Sequence, residues 1–487
     1  MTGLSQGAAS AAADHTSEHS PTAAPARVVA VVGGGFSGVC LAIHLLRQPG
    51  GDPLRVLVIE PRSELGAGVA YATRDYPYPL NVPAGQMSLD ASRPDDFVEF
   101  VRSQGIQVTA GDYLPRQVYG DYLRARFAAQ CQSANPGREA LHCRARVLQI
   151  RRGADRWSLW LDDGRELQAD DVVLATGNAP PARLPAFDAL AGSAHYVEDP
   201  WSIGAGAHGE LESVLLVGSG LTMIDAALRL AAIRPRVRRI HVLSRHGLLP
   251  LPQATAAGRA PRPALDAVHA AAPSVAGMLG ALRELAHTHA AAGGDWRELL
   301  GMLRPQLPGL WQGLGPAQRA RFLRHARAWW DVHRHRAPAG PLAAVRTLER
   351  QGVLEVHAGR LEGLRLVDGA VEVTWRPRAA RRSRAWLVDR VVNCTGPDPR
   401  VRQHPDPLVR SLYAGELIRA DSFELGIDVA ADGRVIGGGG VPVDSLWYLG
   451  PWLRARDWEA TAVPELRAHA ARLAQRLAAD RSLALGA

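Results

Sequence analysis

The 487-residue chain contains no lysine, so all 56 of its Lys+Arg positions are arginine. Chemistries that need an ε-amino group are thereby excluded: the P-loop and kinase lysines that grip nucleoside triphosphates, and Schiff bases to pyridoxal phosphate or to a carbonyl substrate. Cysteine is scarce as well. Cys40, Cys131, Cys143 and Cys394 form no C-x-x-C pair and no zinc spacing, which removes a redox dithiol and a structural zinc site and leaves no metal site to expect. No apolar run approaches the ~18 residues of a membrane span, and the N-terminus lacks the basic and apolar regions of a signal peptide. A cytoplasmic protein without a membrane partner is expected. The net charge of +8 comes from arginines that alternate with Asp and Glu instead of forming a stripe, so no nucleic-acid partner is expected either. The one dense run, Arg376 to Arg384, lies between strand-like segments and reads as a hairpin loop.

What is present is an ordinary globular composition, 47% hydrophobic and 21% charged, long enough for about three structural units at roughly 150 residues each. Residues 1–25 are small, polar and aperiodic, a pattern that predicts a disordered tail. From Arg27 the chain reads strand, glycine-rich turn, helix, strand (RVVAVV, GGGFSG, VCLAIHLLRQ, RVLVIE), and the same opening recurs from Ser213 (SVLLV, GSG, LTMIDAALRLAAI, RRIHVLS). Continuous apolar strands joined through helices predict parallel sheets covered on both faces. The fold class is therefore α/β, with two Rossmann-like dinucleotide-binding domains. RARVLQI, RWSLWL and ELQADDVVLATG read as a β-meander. Residues 247–345 break the rhythm with helical spacing and read as an insertion. Strands resume at VLEVH, GLRLV, VEVTW and WLVDRVVNCTG, and an amphipathic helix starts near Thr461. One domain is expected at 26–200 and 400–487, the other at 201–399.

In the first motif Gly33 allows the tight turn, Gly35 lets the backbone approach a pyrophosphate, and Gly38 permits close packing of helix on strand, with Phe36 and Ser37 opening that helix. Glu60 ends the second strand, where a carboxylate can accept hydrogen bonds from an adenosine ribose. The N-terminal position and the following Gly66–Tyr71 segment, which holds Gly68, favour FAD here. The second motif has Gly218, Ser219, Gly220 and Leu221, but Met223 stands at the third glycine position. Its partner strand ends in Ser244 and Arg245, with no carboxylate for a 2′-hydroxyl and an arginine where a 2′-phosphate needs a donor, so NADPH is expected.

These motifs, the strand ends VVLATG and VVNCTG, and WYLGP with WEATAVPELR make the chain resemble the two-dinucleotide-domain FAD/NAD(P)-binding flavoproteins. Within them it is similar to proteins carrying GVAY, LNVPAGQMS, GSGLTMID, SRHGLLP and DVHRHR together, and more distantly to N-hydroxylating and other class B flavin monooxygenases. The resemblance spans about residues 27–480. It implies FAD contacts from Asn81, Val82, Met87, Val147, Ala175, Thr176, Gly177, Gly450, Pro451, Thr461, Ala462 and Val463, and a role for Gly396 at the second cofactor. Gly192, His195, Pro200 and Trp201 depart in spacing from the Baeyer–Villiger linker signature, so that chemistry is not implied.

A helix beginning near Thr461 would direct unpaired N–H groups and the positive end of its dipole at a reduced flavin, and Pro464 fits its first turn. Trp296, Trp311, Trp329 and Trp330 in the insertion read as core; the alternative is a substrate lid, with Arg334 and Arg336 for a carboxylate. His333 and His335 fall on different helix faces. The expectation is an FAD-dependent NADPH oxidoreductase, a monooxygenase: hydride reduces the flavin, oxygen adds at its C4a position, and the activated oxygen reaches a small-molecule substrate, with anionic molecules among the candidates. No catalytic side chain is singled out. The alternative is a reductase passing electrons to a quinone or protein partner.

Overall fold

A computed structural model describes residues 26–49, 52–203, 211–233, 237–254 and 260–479; the expected tail at 1–25 lies outside them. The strands run, in chain order, β1 (Arg27–Val32), β2 (Leu54–Ile59), β3 (Arg138–Cys143), β4 (Val147–Arg152), β5 (Trp157–Leu161), β6 (Glu166–Ala169), β7 (Asp171–Leu174) and β8 (Tyr196–Val197). They continue as β9 (Ser213–Val217), β10 (Arg239–Ser244), β11 (Leu354–Val367), β12 (Ala370–Pro377), β13 (Arg384–Val388), β14 (Arg390–Asn393), β15 (Arg434–Ile436) and β16 (Pro442–Tyr448).

The first sheet has the order β15-β16-β7-β1-β2-β3, parallel throughout except for the β15 edge. Its central strand shows why a continuous apolar run belongs here: Val29 and Val31 enter one core, while Val28, Ala30 and Val32 enter the core on the opposite face. Both faces are covered, by the helix Phe36–Leu46 and the C-terminal helix Val463–Ala479 on one side and by the β4-β5-β6 sheet on the other. The second sheet has the order β13-β12-β11-β10-β9-β14-β8, with a parallel centre and an antiparallel β11-β12-β13 meander at one edge.

Two strand limits differ from the sequence expectation, and two long-range contacts join segments that it kept apart. ELQADDVVL is two strands: β6 closes the small antiparallel sheet and β7 enters the parallel one, because Asp170 turns the chain and accepts a hydrogen bond from the Val28 amide at 2.7 Å. VLEVH and GLRLV are a single strand, β11, whose bulge between Leu361 and Gly363 shifts the register against β12. Tyr196 and Val197, inside the stretch expected for the first domain, pair with β14 of the second sheet. Lastly, the insertion does not pack on its own domain alone. Trp311, Phe322 and Trp330 share a core with Leu425, Ala455 and Trp458 of the C-terminal segment, and the Trp311 indole donates to the Ala455 carbonyl at 3.0 Å. Trp311 and Trp330 are core, as the spacing predicts, whereas Trp329 is 51% exposed.

Candidate functional site: two glycine cradles and an arginine-walled cleft

Each dinucleotide unit is built on the same backbone contact. Gly33 has φ +112° and Gly218 φ +114°, values an L side chain rarely adopts. A Cβ on Gly33 would lie 2.3 Å from the Ala175 carbonyl oxygen, and one on Gly218 would lie 2.2 Å from that of Cys394. These are the ends of the two neighbouring strands, β7 and β14, so the paired strand-end sequences ATG and CTG mark where each glycine turn abuts the sheet. Gly177 and Gly396 follow with φ +74° and +82°.

The two units then diverge. A Cβ on Gly38 would meet the Gly33 carbonyl oxygen at 2.0 Å, so the first helix lies directly on its turn; Met223 takes that place in the second and is fully buried. A Cβ on Gly35 would meet only the Gly68 Cα, at 3.6 Å. The two backbones thus face each other across a gap that any larger residue would fill. Gly34, passed over by the G-x-G-x-x-G pattern, is equally constrained: its Cβ would lie 2.4 Å from Leu65 Cδ2, and its N–H donates to Glu60 Oε2 at 3.0 Å. Glu60 Oε1 accepts from the Arg62 backbone and guanidinium at 3.2 Å each, and the carboxylate faces the cleft.

That cleft holds about 950 Å³ and gathers Gly33, Gly35, Phe36, Ser37, Glu60, Gly68, Asn81, Val82, Met87, Ala175, Thr176, Gly177, Pro451, Thr461, Ala462 and Val463. The helix Val463–Ala479 begins at its wall with Pro464 in the first turn, where its missing N–H costs nothing. Three residues fall outside, the first being Gly38, which lies beneath the turn against the Gly33 carbonyl. Val147 buries its side chain in the core beneath the β4-β5-β6 sheet, and Gly450 sits behind Pro451, against the Tyr448 hydroxyl.

The residues Gly218, Ser219, Gly220, Leu221, Ser244 and Arg245 do not border this cleft; they meet at the carboxyl ends of β9 and β10. The Ser219 hydroxyl lies 2.8 Å from the Ser244 hydroxyl and donates to the Leu248 carbonyl at 2.6 Å, and Ser244 accepts from the Gly247 amide at 3.0 Å. Both hydroxyls therefore hold the turn together. Gly220 is open: a Cβ added there would have nothing within 4 Å of it. Arg245 is exposed and makes no ion pair among the described residues.

Apart from Arg334 and Arg336, the opposite wall was not legible in the sequence. It comes from the insertion, through Gln253, Arg297, Arg304, Arg334, His335 and Arg336, and from Arg116 of the helix Arg116–Gln132. Arg304 is paired with Glu465, Arg334 with Glu459 at 3.0 Å, and Arg297 with Asp295 at 2.9 Å. Arg336 instead donates to the amide oxygen of Gln253 at 3.0 Å, whose nitrogen donates to the Asn81 carbonyl. Burial, with Arg334 and Arg297 adding repulsion, pulls the Arg336 guanidinium down to about 10. Arg116 ties the two units: it reaches Asp225 of the second at 2.7 Å and lies 4.7 Å over the Trp201 ring. Burial pushes the Asp225 carboxyl up to about 6 against the pull of Arg116.

Among the described residues no helix is long and apolar enough to cross a membrane. The crossovers between units run side by side, with the Ala182 amide donating to the Gly396 carbonyl at 3.0 Å and the Asp398 amide to the Pro180 carbonyl at 2.9 Å.

Residues 30–179 match a family model described as FAD-NAD(P)-binding. No curated protein matches the sequence. Among solved structures the chain is similar to ornithine N-hydroxylase of Kutzneria sp. 744 with reduced FAD, NADP+ and L-ornithine, at 16% identity over 94% of this chain and 100% of that one, TM-score 0.62. It is similar also to L-lysine 6-monooxygenase of Pseudomonas syringae, at 18% identity over 93% and 99%, TM-score 0.63. A third is the FAD-bound cadaverine monooxygenase of Erwinia amylovora, at 13% identity over 93% and 94%, TM-score 0.65. At such identities the likeness is one of fold. The domain match and the fold agree: residues 30–179 match an FAD-NAD(P)-binding domain, in a chain that shares the fold of these structures along nearly its whole length.

Proposed function

We propose that the chain is an FAD-dependent, NADPH-oxidising monooxygenase acting on a small molecule that carries an anionic group. The observation that supports this most is the cleft: one wall is the first glycine cradle and the Val463 helix start, the other is a set of arginines from the insertion. Its volume is at the upper end of the usual range for ligand sites, enough for a flavin ring with a substrate beside it. Bound FAD would supply the capacity to take a hydride from NADPH and to pass reducing equivalents to oxygen.

The chain's own residues bind, orient and exclude water. Gly33, Gly35 and Ser37 present the helix N-terminus to the FAD pyrophosphate, and Glu60 accepts from the ribose. Gly68, Asn81, Val82, Met87, Ala175, Thr176, Gly177 and Pro451 wall the flavin. Thr461 borders it, its own N–H held by the Glu459 carbonyl, while Ala462 and Val463 direct backbone N–H groups and the helix dipole at it, favouring negative charge there. Gly218, Ser219, Gly220 and Leu221 receive the NADPH pyrophosphate, with Arg245 at the 2′-phosphate. Arg336, cationic and without a carboxylate partner among the described residues, faces the cleft as the donor to the substrate anion.

Thiol relay is disfavoured by the state of the cysteines. Burial pushes Cys40 up to about 12 and raises Cys394 as well, with Asp225 adding to it, so neither forms a thiolate near neutral pH. Cys394→Ser is accordingly expected to keep the wild-type rate of flavin reduction by NADPH in stopped flow; selective loss of that step would assign the thiol a part in it.

The function is tested with FAD-loaded protein and a panel of amino and carboxylic acids, following NADPH, oxygen, peroxide and the label from ¹⁸O₂. Substrate-stimulated NADPH oxidation with label in the product is expected. Reduction of a quinone without oxygen uptake would replace the monooxygenase by a reductase.

A further inference from the structure

On the face of the second sheet away from the helix Leu221–Ala232, three potential ligands converge that no glycine motif or cleft uses. His241 of β10 is cross-strand partner to Glu355 of β11, and His357 lies two residues further along the same face of β11. His241 Nδ1 stands 3.4 Å from His357 Nε2; Glu355 Oε2 is 4.0 Å from the first nitrogen and 3.5 Å from the second. A triangle with these sides has one point about 2.1 Å from all three corners, the length of a zinc–imidazole or zinc–carboxylate bond. A His–His hydrogen bond alone would not require the carboxylate oxygen to close the same triangle.

We propose that His241, His357 and Glu355 bind a divalent transition-metal ion of the zinc class. Two imidazoles and one carboxylate are a donor set such an ion accepts, and shortening the 4.0 Å edge lifts the ion out of the plane and opens its fourth position to water. The rings are also held in place before any ion arrives. His241 stacks on Trp386 at 4.7 Å and 14°, and His357 lies 4.6 Å from the same indole. Access is through Glu355, whose side chain is 49% exposed, whereas that of His241 is 7% exposed. An ion here pins β10 to β11 just ahead of Ser244 and Arg245, where β10 ends.

The FAD-loaded full chain, freed of metal by chelator and dialysed, is titrated calorimetrically with Zn²⁺ and, in parallel, by visible absorption with Co²⁺. Binding of one ion is expected, with tetrahedral Co²⁺ bands beyond the flavin absorption. His357→Ala should weaken it at least about tenfold, and His333→Ala, at a histidine outside the cluster, should not. Glu355→Gln, a change at a half-exposed surface carboxylate, tests the site without risk to the fold and should also weaken binding. No uptake up to millimolar Zn²⁺, or wild-type affinity in Glu355→Gln and in any folded His357→Ala protein, overturns the proposal. Flavin content and NADPH oxidation report on the proposed function separately, so neither result bears on the other.

Discussion

Gly35→Val is expected to give a folded, colourless protein. At Gly35 the backbone has φ −74° and ψ −163°, a conformation open to any L-residue, and a Cβ there meets nothing closer than the Gly68 Cα at 3.6 Å. The fold should accept the change with a stability loss of about 0.5 kcal/mol or less, typical for substitutions that bury no group and create no clash. The γ-methyls, however, project into the gap between Gly35 and Gly68, which is where a pyrophosphate has to approach the helix N-terminus. The ratio of flavin to protein absorbance reads the first effect and circular dichroism on heating the second. Gly33→Ala is the contrast: with φ +112° and a carbonyl oxygen 2.3 Å from the new Cβ, it should damage the fold itself. A Gly35→Val protein that retains stoichiometric FAD would place the pyrophosphate elsewhere.

The second large effect belongs to Arg245. Removing its guanidinium deprives NADPH, and not NADH, of a charge-assisted hydrogen bond worth ~1.5–3 kcal/mol. At about 1.4 kcal/mol per decade, Arg245→Ala should lower the preference for NADPH roughly tenfold to a hundredfold. Little else should change, because Arg245 is exposed and its removal breaks no ion pair among the described residues. Ser244 is expected to matter less to cofactor choice, since its hydroxyl is already shared between Ser219 and the Gly247 amide. The check is kcat/KM for flavin reduction by each nucleotide. If the preference survives in Arg245→Ala, the 2′-phosphate has another partner.

The two glycine turns, the parallel sheets, the helical insertion and the first wall of the cleft were legible in the sequence, because each is specified locally. A glycine that must sit at φ near +112° beside a strand end, or a strand buried on both faces, leaves its signature within a few neighbouring residues. Strand limits were less legible: a bulge within β11 and the turn at Asp170 are settled by pairing with distant strands and by a bond to the Val28 amide. The far wall of the cleft left little local signature beyond Arg334 and Arg336. Arg116, Gln253, Arg297 and Arg304 are scattered along the chain, and in a protein with 56 arginines nothing in their surroundings distinguishes a cleft arginine from a solvated one. The state of each arginine was decided by which carboxylates the fold brought near: Glu465 and Glu459 neutralise Arg304 and Arg334, while Arg336 received the uncharged Gln253 amide and His333 carbonyl. The His241–Glu355–His357 cluster has the same origin. Its residues become neighbours only through the register of β10 against β11, and cross-strand register is fixed by the packing of whole faces, which sequence spacing does not record.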